Sequence, residues 1–170
     1  LERMGAAHSA VAEAVIRVAL ADVEHRFATE HGRVPGGRLA VVGMGRLGSA
    51  EMTATSDLDL VVLYDFDDDG PESDGPRPLN PVVYFGRLTQ RLISALTVPT
   101  RKGTLYAVDM RLRPSGNKGP AATQFKGFIA YQQTEAETWE HMALTRARLV
   151  AGDPGLAAEA EAAIRAVLLT

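Results

Sequence analysis

Leu39-Ala40-Val41-Val42-Gly43-Met44-Gly45-Arg46-Leu47-Gly48-Ser49, followed by Ser56-Asp57-Leu58-Asp59-Leu60, is the stretch on which the fold turns. Residues 39–42 are a short apolar run that suits a buried strand, and residues 58–64, rich in leucine and valine, predict a second. The segment between them is glycine-rich and then small and polar. Gly43, Gly45 and Gly48 satisfy the G-x-G-x-x-G spacing of a dinucleotide-binding turn. Asp65 ends the next strand where a ribose contact would fall. That fold needs a full crossover helix between its parallel strands. Here residues 49–55 leave roughly two turns, and Thr53, Thr55 and Ser56 are poor helix-interior residues. A dinucleotide-binding module is therefore kept only as the alternative.

Outward from this stretch, residues 6–31 predict an amphipathic helix with Val11, Val15, Val18, Ala19 and Val23 at helical spacing, closed by Gly32 and the Pro35-Gly36-Gly37 turn. Residues 65–81 are acidic and rich in proline and glycine, an exposed loop. Residues 81–96 predict a helix with Val82, Phe85, Leu88, Leu92 and Leu96 on one face. Residues 105–112 alternate and predict a third strand. Residues 125–150 predict helix broken near Thr134, and Asp153-Pro154 opens a last helix to Thr170 with proline at its first position. The order implies an α+β fold: a small mixed β-sheet flanked by helices, with a helical C-terminal part. The predicted division is 1–125 as the sheet-bearing domain with its N-terminal helix, and 126–170 as the start of a helical bundle packed on it.

The chain has 170 residues, a formal charge of −3, 46% hydrophobic and 23% charged residues, and no cysteine. Those fractions are globular and exclude a disordered class. The absence of cysteine excludes disulfide scaffolds, thiolate zinc sites and cysteine nucleophiles. A mildly acidic chain with 6% aromatic residues is not built as a phosphate track or stacking platform, so no nucleic-acid partner is expected. No apolar run approaches the roughly 18–20 residues that span a bilayer, so no membrane partner is expected either. The opening Leu1-Glu2-Arg3, without methionine or a signal-peptide pattern, reads as a piece of a longer, cytoplasmic chain.

Strand alternation puts Asp57 and Asp59 on one face, with Leu58 and Leu60 on the other. Carboxylates about 6–7 Å apart at Cα can converge on one hard divalent ion or a pair, although an Asp-x-Asp alone more often marks a solvated strand edge. Three further features weigh against that plain reading. Gly48-Ser49 lies a short turn upstream, and a glycine–serine pair at a helix start can offer N–H groups and a hydroxyl to phosphate oxygens. Asp109 sits in the third predicted strand, sharing a face with Arg111 and Arg113. If that strand neighbours the first acidic one, Asp109 is a third carboxylate and the arginines face the phosphates. This is the constellation of a two-metal nucleotidyl transferase. Ions about 3.5–4 Å apart stabilise the attacking and leaving oxygens, and a carboxylate takes the nucleophile's proton.

These residues resemble a known family. Gly43 to Ser49 with Glu51, then Ser56 to Leu60, is similar to the first signature of the glutamine synthetase adenylyltransferases, which belong to the DNA polymerase β-like nucleotidyltransferase superfamily. Val108-Asp109-Met110-Arg111-Leu112-Arg113-Pro114-Ser115-Gly116 resembles their second signature. Thr138-Trp139-Glu140-His141-Met142-Ala143-Leu144-Thr145-Arg146-Ala147-Arg148 resembles their third. Two positions depart from the pattern: Arg46 stands where lysine is usual, and Ser49 where a second glycine is usual. The segment resembles the C-terminal, adenylylating half of a bifunctional chain rather than the half that removes AMP by phosphorolysis. The resemblance implies a polymerase β-like fold and transfer of AMP from ATP to a tyrosine hydroxyl of glutamine synthetase. Mg²⁺ would be bound by Asp57, Asp59 and Asp109, with Asp109 also the base. Gly48 and Ser49 would hold the triphosphate, and Arg111 and Arg113 would contact phosphate or organise the site. It also implies control by glutamine and a PII-type signalling protein.

Within the third block, helical spacing groups Trp139, Met142, Ala143 and Leu149 into one packed stripe, so the sole tryptophan is expected in the core. Glu140, Arg146 and Arg148 are expected to line the cleft or pair with one another, and His141 to be a structural hydrogen-bonder. His8, His25 and His31 carry no signal.

Overall fold

The computed structural model describes residues 1–170. Helix α1 (Glu2–His31) buries a stripe of Gly5, Ser9, Ala12, Ile16, Leu20, Val23, Phe27 and His31. Val11 and Val18, expected inside, are 59% and 71% exposed. Alanine on several faces lets the apolar period be read at more than one angle. The larger Ile16, Leu20 and Phe27, which bury more surface, decide it. Gly32 ends the helix at φ 67° while its N–H bonds the Ala28 carbonyl, a backbone region that glycine enters freely. By length and composition α1 is also apolar enough to cross a membrane, contrary to the expectation that no such stretch exists; here its buried stripe packs on the core of this fold.

Strands β1 (Arg38–Gly43) and β2 (Leu58–Asp65) pair antiparallel, from Arg38 opposite Asp65 to Gly43 opposite Leu60. Between them lies only α2 (Gly45–Gly48), a single turn. An antiparallel hairpin has no crossover, so the dinucleotide-binding alternative fails, and Asp65 pairs with Arg38 at 3.4 Å. Helix α3 (Pro81–Leu96) starts at Asn80, whose side chain accepts the Val83 N–H, with Pro81 at the first position. A small exposed hairpin follows, β3 (Pro99–Thr100) with β4 (Gly103–Thr104).

The expected third strand over 105–112 shrinks to β5 (Val108–Asp109), parallel to β2. Asp109 itself is the cause: its Oδ1 accepts the Arg111 N–H at 2.9 Å, an Asx-type turn that peels the chain off the sheet. Strand β6 (Ala122–Gln124), not foreseen, pairs parallel with β2 farther along. Helices α4 (Phe125–Thr134) and α5 (Thr138–Leu144) confirm the break near Thr134. Residues 148–150, expected helical, belong instead to β7 (Arg148–Gly152), antiparallel to β1 at the sheet edge. Tertiary pairing overrides a helical period that no cap had closed. Helix α6 (Pro154–Leu168) is capped by the Asp153 side chain on the Leu156 N–H.

The result is an α+β fold in three layers, with sheet order β5-β2-β1-β7 and β6 also on β2. Leu58, Leu60, Val62 and Tyr64 of β2 join α1 and α3 in one core; Val61 and Leu63 join α4 and α6 in the other. Each fully buried leucine contributes about 1.5–3 kcal/mol. A one-residue slip of β2 would put its apolar set on the wrong face. This burial fixes which way Asp59 points.

Candidate active site

The turn after β1 is shaped around Asp59. Gly45 has φ 52°, and a Cβ built there would stand 2.4 Å from Asp59 Oδ2. The Met44 N–H donates to the Asp59 carbonyl at 2.8 Å, extending the hairpin ladder by one bond. Gly48 lies closer still to a backbone: a Cβ there would be 1.9 Å from the Arg146 carbonyl oxygen. Ser49 donates from its hydroxyl to the Gly45 carbonyl at 3.1 Å and closes α2. Gly48-Ser49 therefore ends a short helix instead of opening one, contrary to the expected placement.

The start of β2 is set by a local turn in which the Thr53 N–H donates to Ser56 Oγ at 2.9 Å. Asp57 follows, exposed. Asp59 lies directly opposite Asp109 in the β2–β5 register. Registered neighbours in a parallel pair project to the same face, so Asp59 and Asp109 are adjacent, with Asp57 two residues upstream on the same side.

The two registered carboxylates differ in character. Burial raises the Asp59 pKa first, and the negative charges of Asp109 and Asp57 raise it further, partly opposed by Arg111. Asp109 is held below the usual carboxylate range by hydrogen bonds from Arg111. Arg111 Nε lies 3.1 and 2.9 Å from its two oxygens, and Nη2 2.6 Å from Oδ2. In this arrangement Asp59 is the more basic of the pair. The three carboxylates do not close together as a metal-binding group, and Asp109 is turned onto Arg111.

Arg113 does not continue the strand alternation either. Its guanidinium donates to the Met110 carbonyl at 3.0 Å and the Gly119 carbonyl at 3.3 Å, and it organises the loop after β5. Asp57, Asp109, Arg111, Arg113, Gln90 and Asn117 are among the residues lining an open groove of about 410 Å³. A larger cavity of about 740 Å³ lies away from the aspartates, between α1, β1 and β7.

The third sequence block is placed differently from expectation. Trp139 is 54% exposed, with Nε1 donating to Glu137 Oε2 at 3.0 Å, and Met142 is 67% exposed. The single stripe is broken because α5 ends at Leu144 and Leu149 lies on a strand. Glu140 completes a capping box with Glu137 and accepts the Tyr131 hydroxyl at 2.8 Å. His141 Nε2 is bonded to the Gln132 carbonyl at 2.9 Å, a structural role. Arg146 is exposed. Arg148 pairs neither with Glu140 nor with the groove. It bonds the Leu47 and Gly48 carbonyls at 3.0 and 3.2 Å and Glu13 at 2.5 Å. Sequence reasoning missed these contacts, which join residues a hundred or more positions apart.

Residues 1–163 match the family model described as glutamate-ammonia ligase adenylyltransferase. The chain is 58% identical over 164 residues, 96% of its length, to a Rhizobium meliloti protein named bifunctional glutamine synthetase adenylyltransferase/adenylyl-removing enzyme. It is 57% identical over 158 residues, 93% of its length, to the protein of the same name from Agrobacterium fabrum, and 54% over 166 residues, 98% of its length, to that from Brucella suis. It spans only 16–17% of the length of these relatives.

Proposed function

Because the chain belongs to the glutamate-ammonia ligase adenylyltransferase family, we propose that it carries a nucleotidyl-transfer site that moves AMP from ATP to a tyrosine hydroxyl of glutamine synthetase, releasing pyrophosphate. The observation that carries this reading is the register of Asp59 against Asp109, with Asp57 beside them and Gly45 pressed on the Asp59 carboxylate. Three carboxylates on adjacent strands are a hard oxygen donor set, which suits Mg²⁺. Asp57 and Asp59 would hold the ion, joined by Asp109. When bound, Mg²⁺ supplies charge stabilisation at the attacking and leaving oxygens.

The chain's own residues do the rest. Gly48 and Ser49 take the triphosphate, Ser49 by turning its hydroxyl from the Gly45 carbonyl. Arg111 exchanges its carboxylate partner for phosphate oxygens, where a planar bidentate donor fits equally well. That exchange frees Asp109 from the hydrogen bonds that keep it a weak base, and Asp109 then accepts the tyrosine proton through a carboxylate oxygen. Arg113 keeps the loop beneath Arg111 in place.

The direction of the reaction rests on Arg113-Pro114-Ser115-Gly116 and Thr138-Trp139-Glu140-His141, which resemble the adenylylating half of the family. Glutamine and a PII-type protein are its proposed regulators, in a cytoplasmic enzyme of nitrogen assimilation. The test is transfer of label from α-labelled ATP to unmodified glutamine synthetase in the presence of Mg²⁺. Transfer by the wild-type protein, lost in Asp57→Asn with the circular dichroism spectrum unchanged, is the expected result. Unimpaired transfer by Asp57→Asn overturns the assignment.

A further inference from the structure

We propose that Arg148, held by Glu13, is a positioning residue for nucleotide binding: it fixes the Gly45–Ser49 turn from behind without touching the nucleotide. This rests on the assignment of that turn to the triphosphate.

Helix α2 is a single turn with no side-chain cap at its N-terminal end, and at its C-terminal end Ser49 caps only the Gly45 carbonyl with its hydroxyl. An isolated turn has no cooperative stability of its own, and its last carbonyls need outside partners. The chain that leaves the turn serves the Gly45, Arg46 and Leu47 carbonyls through the Ser49, Glu51 and Ala50 N–H groups; Arg148 supplies the Gly48 carbonyl and adds a second donor to Leu47. Nε donates to the Gly48 carbonyl at 3.2 Å, Nη2 to the Leu47 carbonyl at 3.0 Å, and Nη1 to Glu13 Oε2 at 2.5 Å. The three bonds leave one planar guanidinium in a fixed fork, a geometry that an ammonium group cannot reproduce.

Glu13 is anchored in turn. Its side chain is 17% exposed, and Oε1 accepts Arg17 Nη2 at 2.7 Å. Arg17 Nε donates to the Val150 carbonyl at 2.9 Å. One and two turns earlier on α1, Ser9 Oγ accepts the Met52 N–H at 3.2 Å, and Gly5 lies where a Cβ would come 3.1 Å from Glu51 Cα. Positions 5, 9, 13 and 17 are thus a row, four residues apart, that lies along the turn, its exit and β7; residues spaced by four share a helix face. Gly48 rests on the Arg146 carbonyl, so the segment leading into β7 blocks the turn on one side while Arg148, the first residue of β7, holds the Leu47 and Gly48 carbonyls. The turn is clamped between α1 and β7, and the clamp closes through one guanidinium.

The experiment compares wild type, Arg148→Lys and Glu13→Gln in the full-length protein, measuring Kd for Mg·ATP by calorimetry, KM for ATP, kcat and Tm. Arg148→Lys keeps the charge and loses the fork. The expected result is a KM and Kd raised roughly ten- to hundredfold, the scale of lost hydrogen bonds to a charged group, with kcat at saturating ATP changed much less. Glu13→Gln shifts KM in the same direction by a smaller factor. The double variant is no worse than Arg148→Lys alone, because both act through one contact. Should Arg148→Lys fail to fold, Glu13→Gln alone decides. Wild-type KM and Kd in the folded variants, or a fall in kcat with KM unchanged, overturns the proposal. If the wild-type protein itself binds no Mg·ATP, the nucleotide assignment falls and takes the clamp's function with it; normal wild-type binding with unaffected variants sinks the clamp alone.

Discussion

Substituting Gly45 by alanine perturbs the site at its tightest point. Two costs can be worked out from the geometry. Alanine at φ 52° lies in the left-handed region, at about 1–2 kcal/mol. The new Cβ would also stand 2.4 Å from Asp59 Oδ2 and 3.2 Å from its Cγ, whereas a carbon and an oxygen normally settle at about 3.3 Å or more. The carboxylate must therefore retreat by about 1 Å. It cannot easily retreat toward Asp109 and Asp57, whose charges already oppose its ionisation. A Tm loss of roughly 2–8 °C follows from the backbone cost, at about 2–4 °C per kcal/mol for a chain of this size. A displacement of about 1 Å at a reacting centre costs on the order of a hundredfold in rate. Thermal melts, Mn²⁺ affinity and label transfer read these separately. Gly127→Ala is the control: that helical position has open space around it, so the substitution should stabilise by about 0.5–1 kcal/mol and leave transfer unchanged. A Gly45→Ala protein with wild-type metal affinity and transfer rate would refute the claim that the turn is built around Asp59.

Asp59→Asn should abolish transfer while Tm is held or raised, because the raised Asp59 pKa means that its ionised form opposes folding. In the wild type that penalty applies above the raised value and is relieved as pH falls through it toward the ordinary carboxylate pKa of about 4. Urea unfolding across that range should show the relief in wild type and not in the variant. Arg111→Gln removes the hydrogen bonds that hold Asp109 low, so a carboxyl NMR titration should find Asp109 moved up. The stability it contributes, present above the unfolded carboxylate value and lost as pH falls through the lowered one, should shrink. The sole tryptophan, Trp139, should show red-shifted emission that acrylamide quenches readily; a blue-shifted, protected signal would contradict its exposed position.

The elements that a two-residue period could define were readable in advance. Leu58 and Leu60 had to be inside, so Asp59 had to point away, and only the neighbour of β2 was left to find. Asp153-Pro154 marked the start of the last helix by its first-turn proline, and the apolar face from Val82 to Leu96 marked α3, whose Asn80 cap only the structure showed. What could not be read depended on distant partners. The Leu149–Val150 pair suits a helix or a strand equally until β1 is beside it. Residues 105–112 alternate well, but Asp109 takes the Arg111 N–H locally and ends the strand. Alanine made α1 apolar on several faces, so its buried stripe was settled by Ile16, Leu20 and Phe27 meeting the core. The Glu13–Arg148 contact joins α1 to β7 and has no local signature at all. Of the candidate site, Asp59 and Asp109 fall together and Gly45 is tied to them. Arg113 is drawn into the loop, and Gly48-Ser49 lies at the opposite end of its helix from the one expected.

The most direct test of the central claim is a crystal structure with Mg²⁺ and a non-hydrolysable ATP analogue. The account predicts a cation touching Asp57 and Asp59, with Asp109 released from Arg111, Arg111 on phosphate, and the triphosphate against Gly48 and Ser49. A nucleotide bound elsewhere, or a cation that leaves Asp59 untouched with Arg111 still on Asp109, would contradict it.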